Sequence, residues 1–250
     1  IFQYFSLMAL PMRFWGGGGL ERIVSVFEYP NALALYLGPA IALFIVLAIK
    51  NEWLFSKFWF GIGLALQILA LIMTFSRGAW AAVAVVVFFS LFLRFKPKKL
   101  VAATAIILIV FLLVPIIRNR LVETVNDPSG LARADLLKAG LSEVSKQPIL
   151  GNGLYGFRTT LTDRNFQGEI LNYPHNIILN FWLETGLLGL LSFLFIVFVS
   201  MKGQRGRIYG MAGIAFLCVV LIHGLVDVPY FKNDLSLLFW SVAAMLNAKN

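Results

Sequence analysis

The chain has 250 residues, of which 60% are apolar and 13% charged; its mean hydropathy is +0.84 and its formal net charge +9. That balance lies far from the composition of soluble domains and identifies an integral membrane protein. A single cysteine, Cys218, excludes an internal disulfide and any cysteine-based metal cluster, and nothing supports redox chemistry.

The opening segment IFQYFSLMALPM has neither a basic flank nor a small-residue cleavage site. It reads as the tail of an upstream helix and not as a signal peptide, so the chain is expected to be the C-terminal part of a longer protein. Apolar runs able to cross a bilayer, roughly 17 to 25 residues, are expected at 33–49, 58–75, 79–93, 100–117, 177–200 and 209–226. A shorter seventh covers 235–246. The expectation is an all-α polytopic membrane protein of about seven transmembrane helices, one membrane domain over 1–250. Its one long polar stretch, 118–176, forms an extracytoplasmic loop subdomain containing a short amphipathic helix.

Orientation follows from the basic short loops. Lys50 and Lys57, then RFKPKK (94–99), then MKGQRGR (201–207) alternate with the remaining connections and are assigned to the cytoplasm. ERIVSVFEYPN, the SRGAW turn, the long loop and DVPYFKND then face outside. The positive charge is largely a topology signal, and nucleic acid is not an expected partner.

The unusual polar residues collect on the outer side. TFSRGAW sets Ser76 and Arg77 in a reversal between two apolar helices, with Gly78 permitting the close turn. Arg77 is either an interfacial anchor or a guanidinium fork aimed at phosphate oxygens. Arg133 opens a helix on which Leu137, Leu141 and Val144 recur at helical spacing, a face expected to lie on the membrane surface or on the bundle. GNGLYGF reads as a plain turn on Gly151 and Gly153, with Tyr155 and Phe157 packed beneath, because no strand precedes it as a phosphate loop requires.

In NYPHNIILNFWLETGLLGL, Asn176 is placed to cap a helix, and Asn176, Asn180 and Glu184 share one face at a spacing of four. Gly186 and Gly189 leave a flat surface for a second helix. His175 lies just outside the apolar run, where an imidazole can exchange a proton near neutral pH. Asp227, four residues after His223, is a helix-end cap, a donor-orienting group or a support for His175.

Taken in order, RIVSVFEYPNALALYL, TFSRGAWAAV, ARADLLKAGLSEVSKQPILGNGLYGF, HNIILNFWLETGLLGLL and HGLVDVPYF resemble the signatures of the O-antigen ligase and polymerase superfamily over nearly the whole chain. The resemblance implies a multi-pass glycosyltransferase of the bacterial cytoplasmic (inner) membrane, its active site facing the outside or periplasm. Such an enzyme moves a glycan from an undecaprenyl diphosphate carrier to a lipid A core, glycan or protein acceptor, with no cofactor and no metal. Residue by residue, Arg77 would hold the donor diphosphate with Arg133 as a second clamp and Arg22 as a third cation. His175 would deprotonate or position the acceptor hydroxyl, and Asn176 and Asp227 would line the site. A lipid-linked glycan transporter or flippase is the alternative, but its polar groups should sit near the bilayer midplane. A non-catalytic scaffold would need no such outer cluster.

Overall fold

The structure, a computed structural model, describes residues 22–27, 29–94, 113–122, 128–163, 173–204, 207, 209–229 and 233–248. Its elements are helices α1 (Pro30–Ile49), α2 (Lys57–Met73), α3 (Arg77–Phe92), α4 (Pro115–Val122), α5 (Pro128–Lys146), α6 (Gly156–Asp163), α7 (Ile177–Met201), α8 (Gly210–His223) and α9 (Asn233–Asn247). No strand occurs among the described residues. Two helices, α1 and α7, are long and apolar enough to cross a membrane, whereas α2, α3, α8 and the 235–247 part of α9 are apolar but shorter. The expected span at 100–117 lies largely outside the described residues, and so does the RFKPKK loop beyond Arg94.

The chain divides into two compact units, Ile1–Val122 with Arg205–Val220, and Glu123–Gln204 with Leu221–Asn250. In the first, α1 starts at Pro30, whose missing N–H costs nothing at a helix start, and continues through Pro39. Ile23, Leu33, Leu37 and Ile41 pack with Leu71, Met73 and Ala79, joining α1 to α2 and α3. Gly38 keeps α1 narrow where the side chains of Val83 and Val219 approach.

In the second unit, α5, α6 and the head of α7 share a core of Leu136, Val144, Phe157, Leu161, Leu179 and Leu183. Phe157 is fully buried, so truncating it to alanine would cost about 3–5 kcal/mol. Gly140 admits α7 closely, since a methyl group there would press on the Leu179 side chain. The buried stripe of α5 is therefore Leu136, Gly140 and Val144, while Leu137 and Leu141 are exposed. Of the Leu137, Leu141 and Val144 face, expected on the membrane surface or on the bundle, only Val144 is buried within the unit; the glycine, and not a leucine, is what lets α7 come near. Deeper along α7, Phe193 packs on Phe239 of α9. Buried Gln204 ties the ends of these helices through the carbonyls of Ser200 and Leu246.

Candidate functional site

In the first unit, the α2–α3 reversal is built from backbone acceptors and one arginine. The Arg22 Nε donates to the Thr74 carbonyl at 2.7 Å and its Nη2 to Asn31 Oδ1 at 2.8 Å, so this guanidinium joins the start of α1 to the turn. The Thr74 hydroxyl donates to Leu71 O and accepts from Ser76 N, and the Trp80 indole donates to Leu71 O at 3.0 Å. The left-handed residue of the reversal is Phe75, with φ of 50°, and Gly78 is already helical. The expectation that Gly78 permits the turn is thereby corrected: the hydrogen bonds of Thr74 hold a non-glycine residue in that conformation. Arg77 is the first residue of α3, where the helix dipole already favours an anion.

In the second unit, Asn176 caps α7 as expected. Its Oδ1 accepts from Leu179 N at 2.9 Å, and its Nδ2 donates to Leu225 O at 3.1 Å. Ile177 N donates to Gly224 O at 2.7 Å, so the head of α7 is stitched to the chain that leaves α8. This brings two distant residues together: His175 Nδ1 lies 3.2 Å from Asp227 Oδ1. His175 is partly exposed and Asp227 is buried. The histidine has φ of 51°, a left-handed conformation that costs on the order of 1–3 kcal/mol outside glycine and gathers at functional sites.

Burial pushes the Asp227 carboxyl up, but the His175 hydrogen bond and the charges of His175, His223 and Arg133 outweigh it and hold the group down at about 2. An ionised carboxylate only accepts, so Nδ1 of His175 carries the hydrogen, which leaves Nε2 as the nitrogen that can accept a proton. The second oxygen-facing bond, Val228 N to the same Oδ1 at 2.9 Å, fixes the carboxylate. His223, which was only a spacing marker in the sequence, is buried here, and its Nδ1 has no hydrogen-bond partner among the described residues. Its four-residue separation from Asp227 was the signal that could have placed it.

The other polar residues of α7 serve a different purpose. Glu184 accepts from the backbone N–H of Tyr155 at 3.3 Å, and the Tyr155 ring lies tilted against that of Tyr173 with centroids 6.2 Å apart. Burial and the Tyr155 hydroxyl push the Tyr173 phenol up, so it stays a neutral donor. Tyr155 is exposed, against the expectation that it packs beneath the turn, whereas Phe157 is buried as expected. Gly186 breaks α7, with φ of 69° and ψ of −174°. The surface expected to receive a second helix receives the 148–155 loop: Ile149 O accepts from Leu187 N at 3.1 Å, and Leu183 O from Asn152 N at 2.5 Å. Trp182 Nε1 adds a bond to Pro148 O at 2.7 Å.

The described residues thus define an all-helical, strongly apolar protein with a histidine–carboxylate pair beside an arginine at the mouth of a helix long enough to cross a membrane. The family model described as O-antigen ligase matches residues 62–194, over half of the chain, and the chain belongs to that family. Its activity at the level of the family is ligase-type glycan transfer. The matched span includes Arg77, Arg133, His175 and Asn176 but neither Arg22 nor Asp227. No curated protein matches the chain.

Proposed function

We propose that the chain transfers a glycan from an undecaprenyl diphosphate carrier to a lipid, glycan or protein acceptor at the outer face of the cytoplasmic membrane, without a metal. The observation that carries this reading is the His175–Asp227 contact at the head of α7, because it leaves Nε2 as a proton acceptor on a ring whose other nitrogen is engaged. Nε2 takes the proton of the acceptor hydroxyl as its oxygen attacks the anomeric carbon. The bond from that carbon to the diphosphate oxygen breaks, and the electron pair leaves with the phosphate. Fixed positive charge lowers the barrier to that departure. Arg133, whose charge reaches Asp227 and His223, is assigned to the phosphate in the second unit. Arg77 is assigned a phosphate contact from its place at the start of α3 and from the SRGA resemblance. Arg22 acts through its bonds to Thr74 and Asn31 as the group that holds the turn carrying Arg77.

The test is transfer from a lipid-linked glycan to a panel of acceptors by purified protein in proteoliposomes. His175→Ala should insert and fold normally and lose transfer by roughly 10²-fold or more, the contribution of a positioned base. Near-normal turnover in that variant would reduce His175 to a structural residue. The acceptor panel separates transfer to a lipid core from joining of glycan repeats.

A further inference from the structure

The 148–155 loop is docked onto α7 at the break in that helix. Counting back from Met201, the last residue of α7 before Lys202, about 20 residues at ~1.5 Å each cover a hydrocarbon core of roughly 30 Å and end near Trp182. An indole at that level, donating outward to Pro148 O, suits the interface. Gly186 and Leu187 then lie about 6–8 Å inside the hydrocarbon by the same rise. A helix break there frees backbone groups, each costing several kcal/mol in lipid unless another group pairs with it. Ile149 O and Asn152 N are the groups that do so. The loop must therefore follow α7 below the interface.

Its own residues fit that environment. From Pro148 to Phe157 the loop carries no charge, while Lys146 and Arg158 bracket it. The N–H groups of Gly151, Asn152, Tyr155 and Gly156 are already bonded within the unit. Leu150 is 81% exposed, Leu154 74% and Ile149 63%, comparable to Leu188 of α7 at 71%. We infer that residues 149–155 form a re-entrant loop in the leaflet on the His175 side, with Ile149, Leu150 and Leu154 covered by lipid acyl chains. Lipid is favoured over a second copy of the chain because the exposed leucines continue the exposed apolar surface of α7 past its break.

This rests on the reading that α7 spans the bilayer, and the experiment separates the two. The unmodified chain in phosphatidylcholine–phosphatidylglycerol vesicles is photolabelled with a diazirine carried on a lipid acyl chain. Label in both the α7 peptide and the 147–157 peptide is expected. Label in α7 alone overturns the re-entrant loop, and label in neither overturns the membrane span on which it rests. In a Cys218→Ala background, a fluorophore at Leu150→Cys should be quenched at least twofold by lipids brominated near the top of the acyl chain and little by iodide. The same fluorophore at Lys138→Cys, on the exposed face of α5, should show the reverse. Iodide quenching of the Leu150 position equal to that at Lys138, or shielding from both quenchers with energy transfer between labelled copies, would refute lipid as the occupant.

Discussion

Replacing Gly186 by alanine tests the joint between α7 and the 148–155 loop. At φ of 69° and ψ of −174° the backbone occupies a region open essentially to glycine alone, so a side chain there costs on the order of 1–3 kcal/mol before any contact is counted. The added methyl would collide with the carbonyl of Ile149, which is backbone and has no rotamer through which to yield. Relieving the collision means withdrawing the loop, and this breaks the bond from Leu187 N to Ile149 O and weakens that from Asn152 N to Leu183 O. Each is worth about 0.5–1.5 kcal/mol with water available and more where it is not. The sum is roughly 2–6 kcal/mol, which at ~2–4 °C per kcal/mol predicts a fall in Tm of about 4–24 °C. The assay is thermal unfolding of detergent-solubilised protein, followed by intrinsic tryptophan fluorescence, with limited proteolysis across 147–157 as a local reading. Gly153→Ala is the control: it also has a left-handed φ, of 78°, but nothing lies within 4 Å of the added carbon, so it should cost only about 1 kcal/mol. A Gly186→Ala protein with unchanged Tm and an unchanged cleavage rate, or one no worse than Gly153→Ala, would refute the joint.

Three further outcomes are expected. The Asp227 carboxyl ordinarily titrates at 3.8 and is held at about 2 in the fold, so its contribution of roughly 2 kcal/mol is complete above pH 3.8 and lost as pH falls toward 2. The Tm gap between the parent chain and Asp227→Asn should narrow over that interval, and a gap that is constant with pH would contradict the His175–Asp227 coupling. Arg77→Lys keeps the charge but loses the planar fork, so transfer should drop by an amount on the order of 2–4 kcal/mol in transition-state stabilisation while persisting in excess chelator; an active Arg77→Lys protein that is abolished by EDTA and rescued by magnesium would point to a metal-dependent transferase. A reporter fused after Gly203 should read cytoplasmic and one inserted near Gln167, which lies outside the described residues, external; a cytoplasmic reading at Gln167 would place the candidate residues in the wrong compartment.

Local signals in the sequence were legible wherever one element decides them. Asn176 reads as a cap because a short polar side chain ahead of an apolar run has few other uses, and it caps. The apolar runs of α1 and α7 follow from their composition alone. What escaped depends on partners far along the chain. The sequence leaves the Leu137, Leu141 and Val144 face of α5 open between membrane surface and bundle, and the packed stripe through Leu136 depends on how closely α7 can pass Gly140. Gly186 in an apolar run reads as a seat for another helix, and the bond from Leu187 N to the distant Ile149 carbonyl goes with a break there instead. Among the expected site residues, His175, Asn176, Asp227 and Arg133 gather in the second unit; the contact of Asp227 with His175 is one of three roles open to that carboxylate in the sequence, and a spacing of 52 residues could not choose among them. Arg22 was legible as a cation but not as the fastener of a turn, since its acceptors are Asn31 and the carbonyl of Thr74.

The stitching of the α7 head to residues 224–227 also sets an order for biogenesis. Ribosomes deliver α7 first, with its capping asparagine but without Gly224 O, Leu225 O or the Asp227 carboxylate. Until α8 has been synthesised and its following turn has come back to the same membrane face, the Asp227 carboxylate is not there for His175 Nδ1. A nascent chain arrested before Asp227 would therefore carry an unset histidine, and the pair would be assembled only after the insertion of α8, the second of the two helices between its halves.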